Sequence, residues 1–351
     1  MGELMTEFGI FLPNGSNGYV ISEGVKPYPP TFEHHRLIVE EAEKQNFSYA
    51  LPMVKFKGFG GKTGFWDECL EPFTLTSALA AMTSKLKFIP TVGLLALHPA
   101  YTARMTATIS NLSQGRVGLN IVTGWNKKEY NSMDLWPGDE HYNGRYEFAA
   151  EYVSILKELW KTGKCDRKSN YWNLDECSCL PTAKYDIPII SAGQSPAGKA
   201  FCGEFADQRF MFGHPPVLDD LEQNKSKKLN YGSYIYLHII TEKTDQQAKA
   251  IGEEIIKKAD KSAIENMISS SLLDTNKEGT SAALQAALGQ SLENGNMAFT
   301  SAPVIYGTPK TVASKLNEIS EKTGCDGFMF SWNDYVSGIK TFGEEVRPYI
   351  N

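Results

Sequence analysis

Short apolar stretches that are typical of β-strands alternate with stretches of helical periodicity along most of the chain. The alternation predicts strands at residues 7–13, 48–53, 86–92, 117–123, 187–192, 209–213, 234–240 and 327–331. Between them it predicts helices at residues 31–45, 71–83, 100–112, 145–160, 196–205, 246–259 and 308–322. Residues 172–180 are typical of a small hairpin or an edge strand, and residues 335–346 close the chain. Residues 261–300 are polar and helix-biased, without a clear place in the alternation.

Eight strands that alternate with helices over 351 residues favour an α/β fold, a (β/α)8 TIM barrel with insertions. No internal repeat or low-complexity linker divides the sequence, so we expect one domain over residues 1–351. A doubly wound open sheet is the alternative. In a barrel, the chemistry is carried by the loops that follow the strands, and here those loops hold many of the glycines and most of the tryptophans.

The composition excludes several classes of protein. Hydrophobic residues make up 42% of the chain, too many for a disordered protein. The formal net charge is −6 and there is no basic block, so we expect no nucleic-acid binding. No stretch approaches the ~20 apolar residues of a membrane span, and the start of the sequence lacks a secretory pattern, so we expect a cytoplasmic protein.

The six cysteines are then expected as free thiols, and the six histidines show no metal-ligand spacing, so no metal is expected. His34 and His35 begin a helix and are expected at the surface.

Four polar residues lie near the predicted strand ends or in the following loops, namely Lys55, Thr91, Asn120 and Glu129. Each taken alone is typical of an ordinary hydrogen-bonded residue, whereas several that converge on one barrel mouth would form a site. No nucleophile–histidine–acid constellation accompanies them. A mouth with few acid–base groups indicates that a cofactor carries the chemistry.

Two further features indicate an anion site. Residues 193–198 (GQSPAG) follow a predicted strand and begin a helix, where small residues and free N–H groups suit a phosphate. Ser195 either caps this helix or binds a phosphate oxygen. Arg145 and Tyr146 lie where a polar loop meets the next helix. An arginine suits bidentate phosphate binding, although one taken alone more often forms a surface ion pair.

Residues 113–125 are SQGRVGLNIVTGW, which resembles the helix–Gly-Arg–strand signature of the bacterial luciferase-like flavin monooxygenases. Four more segments are similar to one subgroup, the pyrimidine monooxygenases of the Rut uracil pathway. They are 56–67 (FKGFGGKTGFWD), 135–139 (LWPGD), 191–195 (SAGQS) and 337–343 (SGIKTFG). The resemblance covers roughly four fifths of the chain, and such long motifs are more specific than a lone glycine pattern.

The resemblance implies a luciferase-like barrel that uses reduced FMN and dioxygen. A separate NAD(P)H-dependent flavin reductase would supply the reduced FMN. A flavin peroxide would then attack a small-molecule substrate, which in the pyrimidine enzymes opens the uracil ring. The implied FMN contacts are Val54, Lys55, Asn120, Glu129, Arg145, Tyr146 and Ser195, the last three at the phosphate. The residues implied on the oxygen side of the flavin, with catalytic roles, are Leu51, Met53, Lys55, Thr91 and Asn120. Those implied to face the substrate are Trp125, Glu129 and Phe210.

The sequence departs from the subgroup near the predicted mouth. Pro52 replaces a small polar residue, His98 stands where proline is usual, and residues 214–216 (HPP) replace a lysine/glycine turn. We therefore expect a two-component monooxygenase for a pyrimidine such as uracil or a related small heterocycle, with a sulfone, a sulfonate or another small organic compound as the alternative. A flavin-binding barrel without catalytic activity is a third hypothesis. We also expect a homo-oligomer.

Overall fold

The computed structural model describes residues 6–227, 229–276 and 295–351. The strands are Glu7–Leu12 (β1), Tyr49–Pro52 (β2), Lys87–Phe88 (β3), Thr91–Gly93 (β4), Leu119–Val122 (β5), Lys164–Lys168 (β6), Asn173–Ser178 (β7), Ile189–Ser191 (β8), Gln208–Phe212 (β9), Gly232–Thr241 (β10), Val304–Gly307 (β11) and Gly327–Ser331 (β12). The helices are Phe32–Lys44 (α1), Pro72–Met82 (α2), Pro99–Leu112 (α3), Lys127–Asn131 (α4), His141–Thr162 (α5), Pro196–Phe205 (α6), Pro215–Asn224 (α7), Asp245–Lys257 (α8), Lys261–Ser271 (α9), Pro309–Thr323 (α10) and Tyr335–Thr341 (α11).

The parallel strands form one sheet in the hydrogen-bonded order β3-β2-β1-β12-β10-β9-β8-β5-β4, with β11 paired to β10. The two ends of this order, β3 and β4, are separated along the chain only by Ile89 and Pro90. This stretch pairs with β2 through β3 and with β5 through β4, so it joins the two ends of the sheet. With β3 and β4 counted as one strand, the sheet closes as an eight-stranded barrel. The predicted (β/α)8 TIM barrel is therefore confirmed.

Apolar side chains fill the barrel and the space between the strands and the helices. The interior cluster includes Leu51, Ile190, Phe210, Tyr236 and Met329. Two outer clusters pack the surrounding helices against the strands. Because such interiors are close-packed, the strand ends that carry the candidate site are held in fixed positions.

Two helices begin at the capping residues that the sequence predicts. Thr31 Oγ1 accepts a hydrogen bond from the N–H of His34 at the start of α1, and Ser195 Oγ accepts one from Gly198 at the start of α6. The predicted bounds of α6 (residues 196–205) and of β12 (residues 327–331) agree with the structure at both ends.

Some elements differ from their predictions for local reasons. Pro90 has no N–H, and the predicted strand at 86–92 is divided there into β3 and β4. The prolines at 215 and 216 suggest a loop, yet they begin α7, because proline suits the first helical turn. The short helix α4 and the start of α5 lie inside the predicted polar loop, and β11 was not predicted. His35 is fully buried, so its predicted surface position was wrong.

The structure also shows the segment 172–180 and part of the segment 261–300, which the sequence pattern did not assign to a single element. Residues 172–180 contain the single strand β7, which pairs antiparallel with β6; the segment is therefore the second half of a hairpin that begins at residue 164, before the predicted range. The 261–300 segment contributes α9 and a 3-10 turn at Asn296–Phe299, while residues 277–294 lie outside the described residues.

All six cysteines are free thiols, as predicted. Within residues 6–227, 229–276 and 295–351, no helix combines the length and the apolar character that a membrane crossing requires. Over the same ranges, no group of three or more His, Cys, Asp or Glu side chains is placed to hold a metal ion.

Candidate active site

The carboxyl ends of β1 and β2 are joined by the fully buried side chain of Asn14. Its Nδ2 donates to the carbonyl oxygens of Met53 at 2.7 Å and Leu70 at 2.9 Å, and its Oδ1 accepts from the N–H of Met53 at 2.9 Å. Both backbone polar groups of Met53 are thus held by one side chain. Sequence reasoning missed Asn14, whose only signal is its place directly after a predicted strand.

A buried ion pair lies just beyond β2. Lys55 Nζ is 2.9 Å from Glu129 Oε2, and the two side chains are only 5% and 8% exposed. Glu129 Oε1 also accepts from the backbone N–H of Phe56 at 2.6 Å. The ammonium lies 4.5 Å from the ring centroid of Phe59, a cation–π arrangement. The carboxylate of Glu129 therefore joins α4 to the loop after β2 and neutralises the charge of Lys55 in that loop.

The indole of Trp125 lies beside the same ammonium. Its ring centroid is 5.9 Å from Lys55 Nζ, and the ring of Trp66 lies at 6.0 Å. Trp125 also packs against the apolar cluster that contains Phe59 and Ile264. The structure thus brings together Lys55, Glu129 and Trp125, which the sequence separates by as much as 74 residues.

Thr91 and Asn120 lie side by side on β4 and β5. Asn120 Nδ2 donates to Thr91 Oγ1 at 3.0 Å, and the Thr91 hydroxyl donates to the carbonyl oxygen of Pro52 at 2.7 Å. Both side chains are buried. Asn120 Oδ1 has no hydrogen-bond partner in the part of the chain that the structure describes. A buried acceptor without a donor is costly, so this oxygen suits a ligand N–H.

The apolar residues that the resemblance implies lie on or just after β1, β2 and β9 or pack against them. Leu51 and Phe210 are both buried in the interior cluster, and the Phe210 ring packs on Tyr236 at 5.7 Å. The Met53 side chain lies against Gly15, where an added Cβ would be 2.5 Å from Met53 Cε. Val54, at the end of β2, is partly exposed. Leu51 and Phe210 therefore belong to the barrel interior, whereas Met53 belongs to one of the two outer clusters.

Arg145, on α5, is 1% exposed although it carries a charge. Its Nη1 is 3.0 Å from Asp274 Oδ2, and the side chain of Asp274 is 0% exposed. The expectation that Arg145 forms an ion pair at the surface was therefore wrong, because its ion pair is buried. Nε and Nη2 of Arg145 are also buried, and neither has a hydrogen-bond partner among the described residues. These two N–H groups form one edge of the guanidinium, which fits a bidentate oxyanion.

The start of α6 lies close to Tyr146. Ser195 caps this helix by accepting from Gly198 N at 3.1 Å, so the capping role is present, and its own O–H remains a donor. A Cβ added at Gly198 would lie 2.6 Å from Tyr146 Oη and 2.7 Å from the Cα of Gly193. The absence of a side chain at Gly198 therefore lets the tyrosine hydroxyl approach the helix N-terminus, and the two glycines let their backbones pack closely together.

A second buried arginine supports this loop and was missed in the sequence. Arg209, on β9, is 3% exposed, and its Nε donates to the carbonyl oxygen of Gly193 at 3.0 Å. The other residues of the predicted strand 209–213 (RFMFG) are not polar, so its pattern indicated packing rather than hydrogen bonding.

Residues 260–276 lie across the loops of the mouth, and from residue 261 onwards they belong to the segment that the alternation left without a place. Their hydrogen bonds reach three of the segments described above, which are the loop after β2, α4 and α5. The pairs are Asp260 with Thr63, Asn266 with the carbonyl oxygen of Phe59, Ser269 with Lys128, and Asn276 with the carbonyl oxygen of Tyr142. The segment thus completes the site by bringing Asp274 to Arg145.

The departures from the subgroup have structural roles at strand and helix ends. Pro52 contributes only its carbonyl oxygen to Thr91. His98 Nδ1 accepts from the N–H of Ala100 at 3.2 Å and so caps α3, and His214 stands at the N-cap of α7. Burial lowers the pKa of both imidazoles, which favours their neutral forms.

The model of the luciferase-like monooxygenase family matches residues 5–327. The chain belongs to this family. This luciferase-like monooxygenase is 40% identical to the pyrimidine monooxygenase RutA of Serratia proteamaculans (strain 568) over 353 residues, with 98% of this chain and 95% of the relative covered. It is 41% identical to the RutA of Pseudomonas savastanoi pv. phaseolicola (strain 1448A / Race 6), with 98% and 96% covered.

Solved structures share the fold of this luciferase-like monooxygenase. Riboflavin lyase RcaE, determined with modified FMN and riboflavin, matches with a TM-score of 0.83 and 19% identity, covering 98% of this chain and 90% of the other. The EDTA monooxygenase EmoA from Chelativorans sp. BNC1 matches with a TM-score of 0.80 and 17% identity, covering 98% and 92%. At these identities the likeness supports the barrel architecture and no finer assignment.

Proposed function

We propose that the chain is a two-component monooxygenase that uses reduced FMN and dioxygen to oxidise a pyrimidine such as uracil, with opening of its ring. The observation that carries the proposal is the 40–41% identity to pyrimidine monooxygenases over 98% of the chain. The geometry of the mouth supports it, because the described residues leave unpaired polar groups that suit a flavin mononucleotide.

The phosphate of FMN fits the region where α5 and α6 begin. Nε and Nη2 of Arg145 would bind its oxygens, with the Tyr146 hydroxyl, the Ser195 hydroxyl and the N-terminus of α6 as further donors. The sequence has no G-x-G-x-x-G between a strand and a helix, so a mononucleotide suits the chain better than a dinucleotide.

The ring system of the flavin would lie against Val54, Lys55, Asn120 and Glu129. Asn120 Oδ1 is an unpaired buried acceptor for a ring N–H, and the ammonium of Lys55 is held in place by Glu129. Reduced FMN supplies the electrons and, with dioxygen, the oxygen atom that enters the substrate.

The protein's own contribution is to stabilise charge and exclude water. Asn120 Nδ2 uses one N–H on Thr91 and has a second to donate to developing negative charge on oxygen. Leu51 and Met53, both buried, would keep water from this position. On the substrate side, Trp125 offers a flat surface to a planar ring, Glu129 offers acceptors, and Phe210 adds an apolar contact.

A separate NAD(P)H-dependent flavin reductase is part of the proposal, because the chain lacks a nicotinamide fingerprint. We expect the purified protein with FMN to consume NADH no faster than FMN alone, and substrate turnover to begin when a reductase is added. NADH oxidation by the chain itself at the rate of substrate turnover would refute this part.

The substrate is tested by oxygen-dependent consumption of uracil, compared with a panel of sulfones and sulfonates, in the presence of FMN and a reductase. We expect ring-opened product from uracil, loss of product in Arg145→Ala and normal product in Arg36→Ala, a surface arginine on α1. Oxidation of a sulfonate but not of uracil would favour the alternative substrate class. FMN binding without faster flavin oxidation by any substrate would indicate a non-catalytic barrel.

A further inference from the structure

The ion pair between Arg145 and Asp274 joins two segments that are 129 residues apart in sequence. The arginine belongs to the first turns of α5, and the aspartate follows α9, in the segment that lies across the mouth. Both side chains are almost completely inaccessible, at 2% and 0% exposure. A pair so deeply buried gains little net stability, because both ions lose their hydration. The net stability of the ion pair therefore does not explain why the two side chains are buried together.

The pair uses only one corner of the guanidinium. Asp274 Oδ2 binds Nη1 at 3.0 Å, whereas Nε and Nη2 stay unpaired among the residues that the structure describes. Nε and Nη2 make up one complete bidentate edge, the edge that binds a planar or tetrahedral oxyanion through two parallel hydrogen bonds. The carboxylate therefore fixes the orientation of the guanidinium and leaves that edge available.

The segment that carries Asp274 is itself attached to α5. Asn276 Nδ2 donates to the carbonyl oxygen of Tyr142 at 3.2 Å, one helical turn before Arg145. Asp274 Oδ1 accepts from the N–H of Asn276 at 3.0 Å, which fixes the carboxylate relative to that contact. The aspartate is thus held against the same helix that carries its arginine.

We infer that Asp274 is a positioning residue for the flavin phosphate: it holds the Arg145 guanidinium so that its Nε–Nη2 edge receives a phosphate monoester. The inference rests on the proposed FMN site and adds to it a residue from the segment that crosses the mouth. A long arginine side chain loses considerable rotamer entropy when it is immobilised. Asp274 immobilises it before the ligand arrives, so the ligand gains affinity through pre-organisation.

The test compares the binding of FMN and of riboflavin, which lacks the phosphate, by quenching of flavin fluorescence in the full-length protein. For Asp274→Ala we expect an FMN dissociation constant raised about tenfold and an unchanged riboflavin dissociation constant. Asp274→Asn keeps an amide oxygen that can accept from Nη1, so it should lose less than Asp274→Ala. Glu265→Gln, which removes an exposed carboxylate of α9, is the matched control and should leave both constants unchanged.

Two results would overturn the inference. Equal weakening of FMN and riboflavin would mean that Asp274 only supports the fold, and tighter FMN binding in Asp274→Asn would make the carboxylate a competitor of the phosphate. Failure of the underlying site is recognised separately with Arg145→Ala. If that variant keeps the preference of the parent for FMN over riboflavin, the phosphate is bound elsewhere and the proposed FMN site is wrong. If it loses the preference while Asp274→Ala retains it, only the role of Asp274 is wrong.

Discussion

Replacement of Glu129 by glutamine is the sharpest test of the buried pair at the mouth. At the Nζ–Oε2 distance of 2.9 Å, the attraction between the charges of Lys55 and Glu129 is about 6 kcal/mol for an effective dielectric constant of about 20. The desolvation of two ions that are 5% and 8% exposed costs several kcal/mol each, so the intact pair contributes little net stability. A single unpaired buried charge is different, because the loss of one partner of a buried pair costs about 3–5 kcal/mol.

We therefore expect Glu129→Gln to lower the free energy of unfolding by about 3–5 kcal/mol, and Lys55→Met to lower it by a similar amount. The double variant should recover most of this loss, since neither unpaired charge remains. Urea unfolding of the parent, both single variants and the double variant gives the coupling as a double-mutant cycle.

Glu253→Gln is the control, because it breaks a pair with Lys249 whose side chains are 65% and 70% exposed. It should change stability by less than about 1 kcal/mol. Additivity of the Lys55 and Glu129 single effects within about 0.5 kcal/mol would refute the reasoning, since independent sites add in this way.

Three further predictions concern the flavin region and the acid stability. Asn120→Ala should lower the rate of substrate oxidation by a factor of about 10²–10³ with FMN still bound. The measurements are the amount of product formed per reduced FMN consumed and a thermal melting curve. A variant that is less stable but still forms product with every reduced FMN consumed would contradict the prediction. Gly198→Ala places a Cβ 2.6 Å from Tyr146 Oη and should raise the FMN dissociation constant roughly tenfold or more. Gly203→Ala is the control and should leave this constant unchanged, because an added Cβ there meets nothing within 4 Å. Equal FMN titration curves for the two variants would refute the role of Gly198. His238 lies fully buried on β10. Burial lowers its pKa from 6.5 to about 4, so its contribution to stability is fully present above pH 6.5 and is lost as the pH falls towards 4. Urea unfolding across this range should show a shallower loss for His238→Asn than for the parent, and parallel losses would exclude this role.

The barrel could be predicted because its signals are local. The Ser195-Pro196 start of α6 and the apolar run of β12 are complete within a few residues, and both elements have the predicted bounds. The interruption at Pro90 and the helical start at Pro215 depend on whether a proline falls where its missing N–H is tolerated. The sequence alone does not decide between those outcomes.

The site was predictable where its residues directly follow strands. Lys55 was recognised because a barrel brings the residues that follow its strands to one face, whereas Thr91 and Asn120 lie within the neighbouring strands β4 and β5. Asn14, Arg209 and Asp274 were missed because their partners are 16 to 129 residues away, and no spacing in the sequence indicates those contacts. Such pairs exist only after the chain has closed on itself.

The contact between Arg145 and Asp274 also has a consequence for the order of events during synthesis. At the usual 5–20 residues per second, the ribosome needs about 6–26 s to add the 129 residues between the two partners. During that interval α5 has already emerged with an arginine whose counterion does not yet exist. The buried position of Arg145 cannot be closed off from water without leaving an uncompensated charge inside it. The emerging chain must therefore keep this part of the barrel mouth hydrated until residue 274 leaves the ribosome, and flavin uptake becomes a late event in the maturation of the enzyme.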